Sequence, residues 1–153
     1  MDIVNIKNNK RYIREYIKLC SLEWGKDKDE KEMNKYISEK EEKIEKEDKV
    51  ISVLGLIDND ILIGFISLFK HDDVDDCDLS PWYATIYVKK EYRGKGYSKI
   101  LNDAILEEAK RLGYDRVYLK SELKGYYEKF GAKYLKTIHG DEDLFYIDLK
   151  QKV

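Results

Sequence analysis

The sequence predicts an α/β domain of the α+β kind, a mixed and mostly antiparallel sheet of six or seven strands flanked by helices. Three stretches carry that expectation. Val50 to Ile57 and Ile61 to Phe69 are apolar runs joined by Asp58-Asn59-Asp60, a turn composition whose simplest product is an antiparallel hairpin. Further on, Trp82, Ala84, Ile86 and Val88 alternate with Tyr83, Thr85 and Tyr87, the period-2 pattern of a strand pleated against a core. A glycine turn follows at once, and then Ile100, Leu101, Ala104, Ile105, Ala109 and Leu112 recur at helical spacing before a strand at Val117 and Leu119. Strand, helix and strand in that order make a parallel pair joined by its crossover.

The 153 residues suit one domain spanning 1–153, because a chain of that length buries about 70% of its unfolded surface in a single core. A formal net charge of -2 is the wrong balance for nucleic acid, which selects a strongly basic face. No apolar run approaches the roughly 18 residues of a membrane span, and the opening MDIVNIKNNK lacks the basic-then-apolar order of a signal peptide. The expectation is a cytoplasmic protein with neither nucleic acid nor membrane as partner. Cys20 and Cys77 stand far apart with no CxxC, which favours free thiols over a disulfide or a zinc site.

In chain order, Ile3, Val4 and Ile6 mark a first strand. Ile13, Tyr16, Ile17, Cys20 and Trp24 then form one face of a helix that Gly25 closes. Asp29 to Lys49 is dense in Glu and Lys, with only Met33, Tyr36, Ile37 and Ile44 as an apolar stripe, and reads as a solvated helix without chemistry of its own. After the hairpin comes the most unusual composition of the chain, His71 with Asp72, Asp73, Asp75, Asp76 and Asp78. No glycine follows these aspartates and no glutamate closes the set, so a calcium loop is excluded and no metal is expected. Two readings remain, an acidic rim that gathers a cationic amine and a merely solvated loop. His71 and His139 are isolated and are assigned no catalysis. Tyr134, Leu135 and Ile138, then Leu144, Tyr146, Ile147 and Leu149, finish the chain as two strands around Gly140.

The chemistry concentrates at Arg93-Gly94-Lys95-Gly96. Two glycines allow a tight turn and leave no Cβ in a ligand's way, and the helix that follows points its first N–H groups outward, so the turn is an anion site. Lys89, Lys90, Lys95 and Lys99 reinforce it together with Arg93. A Walker A loop is absent, and a dinucleotide fingerprint needs a third glycine where Lys99 stands.

What remains is the pattern RxxGxG/A directly after a strand, with Arg93, Gly96 and, in its last place, Ser98. Here the sequence resembles the GNAT superfamily of N-acetyltransferases, whose members bind the pyrophosphate of acetyl-CoA on this turn. Serine departs from the usual glycine or alanine but is the next smallest residue. Tyr126-Tyr127-Glu128-Lys129-Phe130-Gly131-Ala132 is similar to the family's second signature, an aromatic followed by YEKxGF, at the expected distance from the first. The likeness covers the C-terminal half at motif level and the N-terminal half in layout only.

The resemblance implies acetyl-CoA as cosubstrate, held by Tyr87, Val88, Arg93, Gly94, Lys95, Gly96, Tyr97 and Ser98. It implies transfer to a primary amine of a small molecule by direct attack, with two alternatives kept open: a protein or peptide acetyltransferase, and a non-catalytic acetyl-CoA sensor. Tyr127, immediately before the glutamate, is the proton donor to the departing thiolate. The N–H donors for the developing oxyanion come from the backbone around Tyr87 and Val88. The attacking ammonium must first lose a proton, and Asp78 is the candidate carboxylate. Asp78-Leu79-Ser80-Pro81-Trp82 also resembles a DLTPW stretch of one branch of the family, which puts Asp78 and Trp82 on the acceptor side with Asp76. Trp24 is either core or, as residues of the first helix are in the family, part of the acceptor pocket. A homodimer is left open.

Overall fold

The structure is a computed structural model that describes residues 1–71, 79–123, 125–138 and 142–149. Asp72 to Asp78 therefore lie outside the described residues, with the two candidate acids Asp76 and Asp78 among them, as do His139 and the turn expected at Gly140.

The elements run β1 (Asp2–Asn5), α1 (Lys10–Trp24), α2 (Glu30–Lys46), β2 (Val50–Asp58), β3 (Ile61–Phe69), β4 (Trp82–Val88), α3 (Tyr97–Arg111), β5 (Arg116–Ser121), β6 (Lys133–Thr137) and β7 (Asp143–Asp148), with short 3-10 turns at Lys90–Tyr92 and Tyr127–Phe130. The strands form one seven-stranded sheet in the order β1-β2-β3-β4-β5-β7-β6. Every neighbouring pair is antiparallel except β4 with β5, the pair bridged by α3. This is the mixed, mostly antiparallel sheet expected from the sequence.

Local chemistry accounts for the element ends. Asn9 caps α1, its side chain accepting from the Tyr12 N–H, and the Gly25 N–H closes the helix on the Ser21 carbonyl. The charged helix α2 begins with a reciprocal capping box between Asp29 and Glu32 and buries only Met33 and Ile37. The β2–β3 hairpin turns through Asn59 and Asp60 at φ 48° and 66°, the paired left-handed residues that a two-residue hairpin turn demands.

Two apolar layers enclose the sheet. On one face Leu101, Ile105 and Ala109 of α3 pack on Ile66, Leu68, Val117, Leu119, Phe145 and Ile147. On the other, Ile13, Tyr16 and Ile17 of α1 with Met33 and Ile37 of α2 pack on Val53, Leu62 and Phe65. In β7 Phe145 and Ile147 join the α3 side of the core, while Tyr146, expected among the apolar residues of this strand, is not part of it. No helix among the described residues is long and apolar enough to cross a membrane.

The strict alternation expected of β4 is broken. Ser67 pairs with Ala84, but Phe65 pairs with Tyr87, so β4 carries one more residue than β3 over that interval, and Thr85 there has φ 53°. This is a β-bulge. It shifts the phase of the strand by one residue: Tyr83 and Val88, an odd number apart, both face α3, whereas Tyr87 packs on the α1–α2 side.

Candidate functional site

Where β4 ends, the Lys89 N–H donates to the Ile63 carbonyl at 2.8 Å, and the 3-10 turn carries the chain to Arg93. Gly94 and Gly96 have φ 78° and 84°. A Cβ at either would meet nothing within 4 Å, so these glycines supply a backbone shape on an open surface rather than room inside the protein. The Arg93 Nε donates to the Val88 carbonyl at 2.8 Å and its guanidinium lies 5.8 Å from the Tyr87 ring centre, which fastens the turn to the strand it leaves. Gly96 is the N-cap of α3, and the first intrahelical contact is made by the Ile100 N–H to the Gly96 carbonyl. The N–H groups of Tyr97, Ser98 and Lys99 therefore have no intrahelical acceptor and emerge beside the glycine turn. The Lys99 side chain pairs with Asp103 at 2.8 Å on the exposed helix surface, so this lysine lies along the helix and not over the turn.

Beside the turn the sheet comes apart. β4 and β5 pair only between Trp82 and Tyr118, with the Tyr118 N–H on the Pro81 carbonyl at 3.0 Å, and from there the two strands separate. A cavity of about 510 Å³ lies along this gap, with Trp24, Tyr83, Thr85, Leu119 and Tyr127 among its walls. The Tyr127 ring meets Tyr83 edge-on at 6.1 Å and Tyr126 at 4.8 Å. Burial, and secondarily Tyr126, push the Tyr127 phenol above its usual range, so it keeps its proton through neutral pH. Tyr126 is not among the residues lining the cavity, so the two adjacent tyrosines stand in different surroundings. Behind Tyr83 is a buried polar contact that periodicity did not single out, its hydroxyl donating to Asn102 Oδ1 on α3. An asparagine on the apolar stripe of α3 was the available signal.

A second cavity, about 370 Å³, lies on the other face of the sheet between α1, α2 and the ends of β2 and β3. Cys20, Tyr36, Lys40, Lys43, Lys49 and His71 are among its walls, and Phe69 and Thr85 line both cavities. The charge of the described lining is mainly positive, three lysines against Glu47. Cys20 is a half-buried thiol pushed up to about 12 by desolvation, which leaves it protonated at neutral pH.

The two tryptophans separate. Trp24 is 54% exposed, walls the first cavity and approaches Tyr87 edge-on at 6.3 Å. Trp82 is 1% exposed, with its indole N–H donating to the Leu79 carbonyl at 2.8 Å. Its ring is buried at the point where β4 and β5 are paired.

A model of the acetyltransferase (GNAT) family matches residues 12–132. No curated protein sequence matches the chain. Among solved structures, an aminoglycoside 6'-acetyltransferase type Ii superposes with a TM-score of 0.70 at 19% identity, covering 100% of both chains. The aminoglycoside 6'-N-acetyltransferase of Enterococcus faecium gives 0.70 at 15% identity, covering 100% of this chain and 99% of the other. The PaiA N-acetyltransferase of Thermoplasma acidophilum, solved in complex with coenzyme A, gives 0.58 at 21% identity over 97% and 99%. At such identities the structures speak for the fold, and the family model, which spans most of the sequence, speaks for descent: the chain belongs to the GNAT acetyltransferase family.

Proposed function

We propose that the protein moves the acetyl group of acetyl-CoA to a primary amine of a small molecule by direct attack. The observation that carries the reading is the parting of β4 from β5 beside a glycine turn and a helix N-terminus, with Tyr127 in the wall of the gap. The residues present fit the cosubstrate. Left-handed backbone at Gly94 and Gly96, free N–H groups through Ser98 and the anchored Arg93 suit a pyrophosphate, with Lys95 and Tyr97 at its margin. β4 backbone groups not taken up by β5 suit an extended arm that adds as a strand, ending near Tyr87 and Val88.

Acetyl-CoA supplies the activated thioester; this chain orients it and manages protons. Tyr127, a phenol that carries its proton at neutral pH and stands in the wall of the gap, delivers that proton to the leaving sulfur. Asp78 takes the proton of the incoming ammonium, and Asp76 and Trp24 gather the acceptor. Cavities of about 510 and 370 Å³ are of the size that takes a small molecule, which favours such an acceptor over a protein or peptide. The reading treats residues 1–153 as one domain at work in the cytoplasm.

A free-thiol release assay tests it, with acetyl-CoA and panels of simple amines, amino acids, aminoglycosides, polyamines and peptides. Release that depends on one class of small amine is expected. Binding of acetyl-CoA without release for any compound would replace the enzyme with a sensor.

A further inference from the structure

Among the described residues, Thr85 is the sole non-glycine with positive φ inside a strand, at 53°. It occupies the place in a bulge that glycine ordinarily takes, and a β-branched side chain is poorly suited to left-handed backbone. Something other than its own preference must keep it there. Thr85 Oγ1 lies 2.8 Å from the Ala84 carbonyl and 2.7 Å from Ser67 Oγ, and Ser67 Oγ lies 2.8 Å from the Tyr16 hydroxyl. The Thr85 hydroxyl donates to Ser67 Oγ, with the Ala84 carbonyl as a second acceptor in reach of the same proton. Ser67 then has its own proton to donate to the Tyr16 hydroxyl, so the donors point from β4 through β3 to α1. Tyr16 and Ser67 are buried, which shields the contact between them, while Thr85 at the end of the chain is half-buried. It crosses the sheet from α1 through β3 to β4, and it ends at the residue shared by both cavities.

The bulge has a consequence for the strand beyond it. The extra residue brings Tyr87 and Val88 opposite Phe65 and Gly64, and so sets which way the backbone at the parted end of β4 faces. We propose that the Tyr16–Ser67–Thr85 hydroxyl chain locks the β4 bulge so that the backbone past it presents its N–H groups to the acetyl carbonyl. Thr85 is thus a positioning residue for acyl transfer. This rests on the acetyl-CoA reading above and deepens it.

The test needs no acceptor. Acetyl-CoA labelled with carbon-13 at the carbonyl is bound to the protein, its C=O stretch is followed by isotope-edited infrared difference spectroscopy, and CoA affinity is measured by calorimetry alongside. In the wild type the band moves below that of free acetyl-CoA, as hydrogen bonding to a carbonyl requires. Thr85→Val keeps the branch and loses the hydroxyl; it is expected to retain CoA affinity while the band returns towards the free position. Thr85→Ser restores the wild-type band. Ser67→Ala breaks the chain one link away and gives the same loss, which keeps the test open if Thr85→Val does not fold. With an accepted amine, kcat falls roughly ten- to a hundredfold in Thr85→Val at an unchanged KM for acetyl-CoA. Folded variants that bind CoA and keep the shifted band overturn the proposal, as does a wild type that binds acetyl-CoA without shifting it. A wild type that fails to bind acetyl-CoA at all instead removes the functional reading on which the proposal stands.

Discussion

The turn at Arg93–Ser98 and the cleft between α1 and α2 are made of different materials. The turn is backbone: two left-handed glycines, free helix N–H groups, and one arginine tied back to its own strand. The cleft is side chain, with Tyr36, Lys40 and Lys43 of α2 facing Lys49 and His71 at the ends of the strands. A main-chain site tolerates most side-chain changes and serves one ligand chemistry. A side-chain site can be re-specified by single substitutions while the sheet beneath stays the same. The proposed function rests on the turn, so it is the part of the reading least exposed to side-chain change.

The comparison can be broken first at the turn. Gly96→Val forces a β-branched residue to φ 84° and is expected to abolish CoA binding by calorimetry, with a wild-type circular dichroism spectrum, since its Cβ meets no neighbour. Undiminished affinity in the folded variant would remove the turn from the site. Next in size is Tyr127→Phe, which should lower kcat by about 10²–10⁴-fold with CoA affinity retained, while Tyr126→Phe is nearly silent in steady-state kinetics. A rate loss at Tyr126 in place of Tyr127 would show that the wrong phenol has been chosen.

Charge sharpens the acceptor side. Neutralising Asp75, Asp76 and Asp78 together should raise the KM of a cationic acceptor several-fold, on the order of a few tenths to 1 kcal/mol, and flatten its salt dependence. Replacing Lys40, Lys43 and Lys49 by Met should move that KM the opposite way, and CoA affinity should respond to neither set. Identical KM values across all three proteins would reduce both groups to solvated surface.

At neutral pH the last effect vanishes, because it concerns stability in alkali. Burial raises Cys20 from 9.0 to about 12, so between those pH values the unfolded thiol is ionised while the folded one holds its proton. Its contribution is complete below about pH 9 and is lost as pH rises towards 12, at about 1.4 kcal/mol per pH unit. The buried phenols of Tyr16 and Tyr83, raised mainly by desolvation, add to the same alkaline decline. Thermal melts from neutral pH upwards should show a shallower fall in Tm for Cys20→Ala, and parallel curves would rule the thiol out as a contributor.

The hairpin, the glycine turn and the stripe of α3 were legible because each is specified by neighbours in sequence: turn residues at Asn59 and Asp60, glycines beside a strand, apolar spacing from Leu101 to Ala109. The bulge was not. Its sequence alternates without a break, and the group that holds Thr85 out of step comes from Tyr16 and Ser67, 69 and 18 residues away in the chain. The burial of Trp82 was not legible for a related reason, since its neighbours in sequence do not say which way the first residue of a paired strand points. The lysine cleft was hidden because α2 reads as evenly charged, and only its packing against α1 selects the cations that face inward.

The meeting of β4 and β5 at one pair also bears on how the molecule comes apart. β1 to β4 and β5 to β7 are two separately hydrogen-bonded ladders with a seam between them, sewn chiefly by the apolar side of α3. An extended molecule lying in that seam would take up the groups each ladder leaves open and act as an eighth strand. Occupancy and cohesion would then be one property: at a ligand concentration of a hundred times Kd the folded state gains about 2.7 kcal/mol. Amide exchange along β4 and β5 would slow together, and melting that begins at the seam would give way to melting of the sheet as one piece.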